Sequence, residues 1–479
     1  RPGGGHSFGG GGGGGSRSSG GSSSSSSFSG SRSSGGSHGG GDLGVMLVSF
    51  VLGAVILVIR GIGRSALSAT WSTGSIDETE DFELPPEPPR PVVRFDALTR
   101  HDSNFSRVLL SDFVHELYVR AHQARGDAEA LAALTPYLAP SARAKLALRG
   151  RASVQGVTQV VVARSDIMEL RTNATHAQIV VEYDANYTEV YDGDRTPPLR
   201  IYARERWRLI RRLAAVGRPP DRVHAFNCPQ CAAPVLGNEP TTCTHCGASF
   251  ERGEHEWGCV GIELAMEATV PPALGGYQPE RGTELPTRRS QHWREQLEAL
   301  QAEDPAFTVA TFEARVRTIY ARLNEAWSSL RWQDVRADCT DRLWLSQTYW
   351  IDAYQAQGLR NRMEQADVRA VEVADIVRDT FFWAITVRVF ASAIDTTVHV
   401  ASDRTVGGSS FPRAYTEYWT LIRSVGVRSG ASIDESCPNC GAPLVVGMTG
   451  HCTHCDVKIT GGAYDWVLSK IEQDDVYRG

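Results

Sequence analysis

The residues with the clearest chemistry are eight of the ten cysteines, which fall into two sets of four. In each set, two C-x2-C pairs are separated by eleven residues. Each pair places two thiolates on one tight turn, and two facing pairs supply four sulfur ligands in a tetrahedron, which suits Zn²⁺. We therefore predict two zinc ribbons, whose ligands are Cys228, Cys231, Cys243 and Cys246 in the first and Cys437, Cys440, Cys452 and Cys455 in the second.

The two predicted zinc ions are structural rather than catalytic. Four sulfur ligands leave no coordination position for water, and the metal folds a module too small to fold alone. Alternatives are a rubredoxin-like iron site, thioredoxin-like redox chemistry, which uses a single C-x-x-C at a helix start, and four disulfides, which require an exported chain. His245 and His454 lie inside the pairs and are expected outside the ligand set. Cys259 and Cys339 are expected to be core residues.

The chain past residue 95 contains one unit twice. Four segments recur in the same order and at nearly constant offsets, which chance does not readily produce. The matching pairs are Asp102–Phe105 with Asp304–Phe307, Glu205–Arg211 with Glu417–Arg423, Cys228–Cys231 with Cys437–Cys440, and Glu256–Trp257 with Asp465–Trp466.

Each unit is predicted to begin with helices. Near the start of each unit, apolar residues recur every three or four positions, which indicates an amphipathic helix. Asp102 or Ser103 is the expected N-cap in the first unit. In the second unit, Asp304 is the expected cap and Pro305 occupies the first helical position. Further helices are expected around Leu131–Leu148 and Asp334–Ala356.

Strands are predicted to follow the helices in each unit, in segments rich in Val, Ile, Tyr and Thr. Helices first and strands after, without βαβ alternation, indicate an α+β fold with an antiparallel sheet. Helices on one sheet face would leave a concave, partly apolar pocket. The predicted strands are Val154–Val162, Ala177–Tyr191 and Leu199–Arg211 in the first unit, and Val368–Val377, Phe381–Ala391 and Tyr415–Arg423 in the second.

This order of elements, with the Trp-x-Leu-Ile-Arg strand ends at Trp207 and Trp419, resembles the Tim-44-like domain. The resemblance covers about 95–225 and 300–425. It implies the cone shape of nuclear transport factor 2 for each unit, and protein transport or membrane-protein assembly as the context. The family includes a subunit of the mitochondrial inner-membrane translocase and bacterial membrane-anchored proteins. Two copies, a membrane span and cysteine modules set this chain apart, so an import-motor role is not implied.

The residues before the first unit indicate a tail, a membrane span and a spacer. Residues 1–42 are mostly glycine and serine, which predicts disorder. Residues 43–62 can cross ~30 Å of hydrocarbon as a transmembrane helix. Arg60 and Arg64 lie at and just after its end, so the positive-inside rule favours C-terminal domains on the cytoplasmic side. We therefore expect a single-pass protein of the cell (inner) membrane. A signal peptide removed before Arg1 would likewise place the tail outside.

The chain therefore divides into eight predicted segments. These are a disordered tail (1–42), a transmembrane helix (43–62), an acidic proline-rich linker (63–94), cone 1 (95–225), zinc ribbon 1 with its following strand (226–272), a linker (273–300), cone 2 (301–430) and zinc ribbon 2 with its following strand (431–479).

Several conspicuous polar and aromatic groups have plain structural interpretations. Asp184 and Asp192–Asp194 are expected in hairpin turns rather than as an acid/base pair. The tryptophans at 327, 332, 344 and 350 are expected in the core and lining a pocket. The arginines at 204, 206, 208, 211 and 212 are expected on a solvated strand edge, or in contact with anionic lipid or an acidic partner.

The function we expect is a non-enzymatic, membrane-anchored interaction or scaffold protein that binds a hydrophobic segment, a lipid or a partner protein. Nucleotide-binding, zinc-protease and serine-hydrolase motifs are absent from the sequence. The net charge of −6 argues against a strongly basic nucleic-acid-binding protein. The alternative is a cone-fold isomerase or hydratase, which a desolvated carboxylate beside a tyrosine would favour. The oligomeric state is left open.

Overall fold

The computed structural model describes residues 93–150, 154–192, 197–220, 226–237, 240–250, 253–269, 280, 282–430, 436–474 and 477. The predicted tail and transmembrane helix lie outside the described residues, as does nearly all of the first linker. Within these ranges, no helix is both long enough and apolar enough to cross a membrane.

Unit 1, residues 93–269, places its helices before an antiparallel sheet. In its described residues the sheet has four strands in the spatial order β1-β2-β3-β4. The elements are α1 (Asp96–His101), α2 (Arg107–Gln123), α3 (Ala128–Ala133), α4 (Pro140–Ala147), β1 (Val154–Thr172), β2 (His176–Tyr191), β3 (Leu199–Arg212) and β4 (Gly258–Thr269).

Unit 2, residues 282–477, repeats this plan and confirms the predicted mixed helix and antiparallel-sheet class. Its described strands run in the order β5-β6-β8-β9, and the short β7 also pairs with β6. The elements are α5 (Trp293–Glu303), α6 (Val309–Ser328), a 3-10 helix (Trp332–Asp338), α7 (Asp341–Ala356), β5 (Leu359–Arg378), β6 (Phe382–His399), β7 (Thr405–Gly408), β8 (Arg413–Ser424) and β9 (Val467–Gln473).

Each set of four cysteines is inserted between the third and fourth strands of a sheet. We call residues 226–250 module 1 and residues 436–461 module 2. The chain leaves the sheet of unit 1 after β3, forms module 1 and returns as β4, and β8 and β9 flank module 2 in the same way. The strand predicted to accompany each ribbon therefore belongs to the sheet, so that module and unit form one structural body.

The predicted helix starts at Asp102 and Asp304 are wrong. The N-caps are Ser106, which accepts a hydrogen bond from Leu109 N at 3.1 Å, and Thr308 at the start of α6. Asp304 instead follows α5, a helix that begins at Trp293 within the predicted linker 273–300. The carboxylates of Asp102 and Asp304 have another role, because each is buried and pairs with an arginine at the end of the third long strand.

These two ion pairs are equivalent in the two units. Arg211 Nη2 lies 2.6 Å from Asp102 Oδ2, and Arg423 Nη2 lies 2.8 Å from Asp304 Oδ2. All four side chains are at most 3% exposed. Asp102 and Asp304, which were predicted to cap helices, thus connect the start of each unit to the end of a central strand.

The arginine-rich strand β3 is not an edge strand, so that prediction is wrong as well. It pairs with β2 on one side and β4 on the other. Asp184, predicted in a hairpin turn, lies within β2, where its register partners are Arg164 on β1 and Arg204 on β3. Both arginines pair with the fully buried Asp184 carboxylate, at 2.5 and 2.7 Å. Opposite charges that face each other across three strands therefore explain Arg164 and Arg204.

The core predictions for tryptophan and cysteine are confirmed. Cys259 and Cys339 are fully buried. Trp207 and Trp419, whose burial the sequence analysis did not address, are 0% and 2% exposed. The tryptophans predicted for the core are also at most 4% exposed; they are Trp327, Trp332, Trp344 and Trp350.

The two units pack against each other through apolar residues. Val161 and Tyr202 of unit 1 lie in the core cluster of unit 2. Phe382, Ile422 and Val467 of unit 2 lie in the core cluster of unit 1. Each unit thus completes part of the other's core, which favours a single cooperative body over two independent domains.

A polar contact supports the same interface. Asp379, in the turn between β5 and β6, accepts a hydrogen bond from Ser106 Oγ at 2.6 Å, and Ser106 is the N-cap of α2 in the other unit. We expect Asp379→Ala to lower the free energy of unfolding by about 1–2 kcal/mol, because a cap contact and the turn's own hydrogen bonds are lost. Urea denaturation would measure this. The control Glu364→Ala, whose side chain is 53% exposed, should change stability by less than about 0.5 kcal/mol; equal losses would contradict the assignment.

Candidate metal centres and buried polar cluster

The predicted ligand cysteines come together in both modules. In each set, the four sulfur atoms lie within 4.8 Å of one another. Individual separations are 3.8 Å for Cys228–Cys246, 3.7 Å for Cys231–Cys243 and 3.8 Å for Cys437–Cys455. A disulfide would need about 2.0 Å. A tetrahedron with metal–sulfur bonds of about 2.3 Å has edges of roughly 3.8 Å, so the sulfur positions fit Zn²⁺.

The backbone shapes both modules in the same way. The N–H of Cys228 donates to Ala233 O, and the N–H of Cys437 donates to Ala442 O, each at 2.8 Å. After each C-x2-C pair the chain adopts a left-handed conformation, which lets the next N–H groups point toward the thiolates. Two of these residues are the glycines expected at such positions; the four are Ala232, Gly247, Gly441 and Asp456.

Donated hydrogen bonds hold one thiol in each module close to the thiolate form that a metal requires. The backbone N–H groups of Cys246 and His245 lower the pKa of Cys243 to about 6. The Asn439 side chain lowers the pKa of Cys455 to about 6. The rings of His245 and His454 are exposed, and each residue contributes its backbone N–H to a sulfur at 3.4 Å. Neither histidine is needed as a ligand.

Four sulfur ligands close each site. With no coordination position left for water, such a site can stabilise a small module but offers no open position for catalysis.

A second candidate site, which sequence reasoning missed, is a buried polar cluster around Glu205 in unit 1. Tyr118 Oη donates to Glu205 Oε1 at 2.6 Å, and Trp207 Nε1 donates to Oε2 at 2.9 Å. Arg149 Nη1 lies 2.6 Å and His122 Nε2 3.1 Å from the same carboxylate. Four groups therefore surround one carboxylate in the core of unit 1.

The charges in this cluster are strongly shifted. Burial opposes ionisation of Glu205, but His122, Arg149 and the donated hydrogen bonds outweigh it, so the pKa of Glu205 lies well below its ordinary value. Burial lowers the pKa of His122 to about 4 and raises that of Tyr118 well above its ordinary value. At neutral pH the cluster thus holds a carboxylate, a guanidinium, a neutral imidazole and a phenol.

The corresponding site in unit 2 keeps the acid and the indole but loses the histidine. Glu417 accepts from Trp419 Nε1 at 3.0 Å and from Gln473 Nε2 at 3.1 Å. Asn324 occupies the helical position of His122, four residues after Tyr320. A Glu-x-Trp pair at the same place in each unit is the signal from which this site could have been found in the sequence.

The cluster meets the chemical criterion for a cone-fold enzyme but is closed to substrate. A desolvated carboxylate lies beside a tyrosine, yet Glu205, His122 and Tyr118 are each 0% exposed. In this conformation a reacting molecule cannot reach them, so the arrangement acts as a buried ion and hydrogen-bond network.

A large recess lies between the two units. It is a cleft of about 340 Å³, a size typical of small ligand sites. Arg342, near the start of α7, donates to Ser165 Oγ of unit 1 at 3.0 Å across this cleft. Apolar and charged side chains share its lining, including Val108, Ile167, Met168, Ile422, Arg342 and Lys470.

Comparison with known proteins identifies part of the chain. Residues 293–432 match the family model of the Tim44-like domain. The match begins at the first residue of α5 and ends before module 2. No curated protein matches the chain. The second of the two units therefore carries a Tim44-like domain.

Proposed function

We propose that the protein is a membrane-associated, non-enzymatic scaffold in protein transport or membrane-protein assembly. The observation that carries this proposal is the match of residues 293–432 to the Tim44-like domain. Each unit would have the cone form of nuclear transport factor 2. The interior of the cone would be filled by Trp207 in unit 1 and by Trp419 in unit 2. Residues 43–62 would anchor the chain in the cell membrane, with both units on the cytoplasmic side.

The two cysteine modules would each bind one structural Zn²⁺. Four facing sulfurs, with edges that suit a tetrahedron, support zinc over a hard cation, which takes oxygen ligands. The sulfur separations of 3.7 to 3.8 Å are too long for disulfides, which is consistent with a cytoplasmic location.

The binding surface of this scaffold would be the cleft between the units. Its apolar side chains can accept a hydrophobic protein segment or a lipid, and its charged groups can orient the bound molecule. Because both units line the cleft, it forms only when they pack together. A chain with a single unit would lack this binding surface.

Site-specific photocrosslinking in native membranes tests this surface. A photoreactive residue at Met168 inside the cleft should label a defined protein or lipid. The same residue at Leu148, which is 85% exposed and outside the cleft, should not label that species. Equal labelling from both positions would show that the cleft is not the binding surface.

The enzymatic alternative rests on the Glu205 cluster of unit 1. Its composition resembles a general acid–base site, but its complete burial favours the scaffold role. An isomerase or hydratase would have to open this cluster to solvent, and hydrogen exchange at the Trp207 indole would then be fast rather than protected.

A further inference from the structure

The two modules are attached to their units in different ways, although their cysteines have the same spacing in the sequence. Module 2 is held by side chains of the 3-10 helix. Arg336, 1% exposed, donates from Nε and Nη2 to Met448 O at 3.2 and 3.0 Å. Gln333 Nε2 donates to Val446 O at 2.8 Å. Ala337 from the same helix packs in the apolar core of the module beside Cys437 and Cys452.

Asp341, the first residue of α7, forms the second half of this attachment. Its carboxylate accepts from Lys458 Nζ at 2.5 Å and from Thr460 Oγ1 at 2.8 Å, and it pairs with Arg336. Gly450 permits the close approach, since a Cβ there would lie 2.2 Å from Thr460 Oγ1 and 2.7 Å from Asp341 Oδ1. We call Gln333, Arg336 and Asp341 the clamp.

Unit 1 has no counterpart to the clamp at the equivalent positions. In each unit, a residue in the helical part forms an isolated β-bridge with the last strand of the sheet: Leu138 with Cys259 in unit 1, and Cys339 with Leu468 in unit 2. Leu138 and Cys339 are therefore equivalent positions. With this alignment, the residues in place of Gln333, Arg336 and Asp341 are Ala132, Thr135 and Pro140. None of these side chains can supply a guanidinium, an amide or a carboxylate.

The matching face of module 1 is accordingly exposed. Gly237 and Thr241 are exposed, whereas Val446 and Gly450, their equivalents in module 2, are buried. The apolar cluster of module 1 includes Cys228, Cys243 and Phe250 and consists of module residues. Ahead of the cysteines, Phe226 packs in the core of unit 1, where its ring centroid lies 5.4 Å from that of Phe113. Its base is held by Tyr137 Oη, which donates to Asn227 O at 2.6 Å.

We infer that the two metal sites have different tasks. By folding module 2, its metal also stabilises the connection between the 3-10 helix and α7. This connection positions Arg342, which lines the cleft. The metal of module 1, in contrast, stabilises only module 1. A cysteine module of this size depends on its metal for folding. Loss of the metal from module 2 would remove Met448 O, which accepts from Nε and Nη2 of Arg336, and would leave two N–H groups of a buried guanidinium without that acceptor, which is costly. This inference rests on the structural zinc proposed for the two modules and is independent of the proposed scaffold role.

The test compares matched cysteine variants of the full chain. Cys437→Ser with Cys440→Ser removes the metal of module 2, and Cys228→Ser with Cys231→Ser removes that of module 1. Metal analysis should find about one zinc fewer per chain in each variant. Hydrogen exchange of the amides in α7 should become about tenfold faster in the module 2 variant, while the amides of α4 should be unchanged in the module 1 variant. Equal effects on the two helices, or no effect on α7, would overturn the inference.

A glycine variant keeps the test decisive if the cysteine variants misfold. Gly450→Ala should push the clamp away while both modules keep their metal, and α7 amides should again exchange about tenfold faster. Gly441→Ala is the matched control, because Gly441 has a similar φ of 72° and its added Cβ meets open space. Alanine at the equivalent position, Ala232, already adopts φ 61°. Unchanged exchange in Gly450→Ala, or the same increase in Gly441→Ala, would rule out the clamp.

Discussion

Glu205→Ala is expected to lower the free energy of unfolding by about 3–5 kcal/mol, the range for removing one partner of a buried ion pair. The Glu205 carboxylate is fully buried and accepts from Tyr118 and Trp207 while pairing with Arg149. Without it, a guanidinium, a phenol and an indole N–H would lose their partner in the core. Urea denaturation followed by tryptophan fluorescence measures the loss.

A surface control separates this effect from general sensitivity to mutation. Glu325→Ala removes a carboxylate that is 73% exposed and lies 3.9 Å from Arg331, and it should change stability by less than about 0.5 kcal/mol. If Glu205→Ala were as mild as this control, the carboxylate would not be the centre of the unit 1 network.

Acidification from neutral pH is expected to destabilise the protein before any carboxylate of ordinary pKa is protonated. The pKa of His122 falls from 6.5 to about 4 on burial, so the unfolded chain binds this proton and the folded chain does not. The contribution of neutral His122 to the free energy of unfolding is therefore fully present above about pH 6.5 and is lost as the pH falls toward 4. The whole loss from this residue is roughly 3 kcal/mol. Glu205, whose pKa is also lowered, adds a loss of the same sign at lower pH.

His122→Asn tests the origin of this acid sensitivity, and the protein itself suggests the replacement, because Asn324 occupies the equivalent position in unit 2. The variant should show a shallower fall in the free energy of unfolding between about pH 6.5 and 4. His292→Asn, at a side chain 74% exposed, should leave the pH profile unchanged. An unchanged slope in His122→Asn would mean that other groups govern the acid response.

The sequence alone was sufficient for features that depend on local spacing. The eight ligand cysteines, the duplication and the helix-then-strand order follow from short patterns, and the structure places each set of sulfurs within 4.8 Å. The buried positions of Cys259, Cys339 and the tryptophans at 327, 332, 344 and 350 also follow, because large apolar side chains and isolated thiols favour the core.

Features that depend on long-range pairing could not be predicted in this way. β4 and β9 lie beyond a cysteine module in the chain, and only the folded sheet shows that they pair with β3 and β8. Asp102 resembles a helix cap locally, yet its partner Arg211 is more than a hundred residues away. The Glu205 cluster likewise combines residues from a helix, a loop and a strand, and only its Glu-x-Trp pair recurs in the second unit as a signal in the sequence.

The central claim is that each of the two units contains a closed four-cysteine zinc module. Native mass spectrometry of the full chain, with thiol counting on the denatured protein, tests it most directly. We expect about two zinc ions per chain, released by a strong chelator, and all eight module cysteines in the reduced state. A chain that carries no metal, or whose module cysteines are joined as disulfides, would contradict this account.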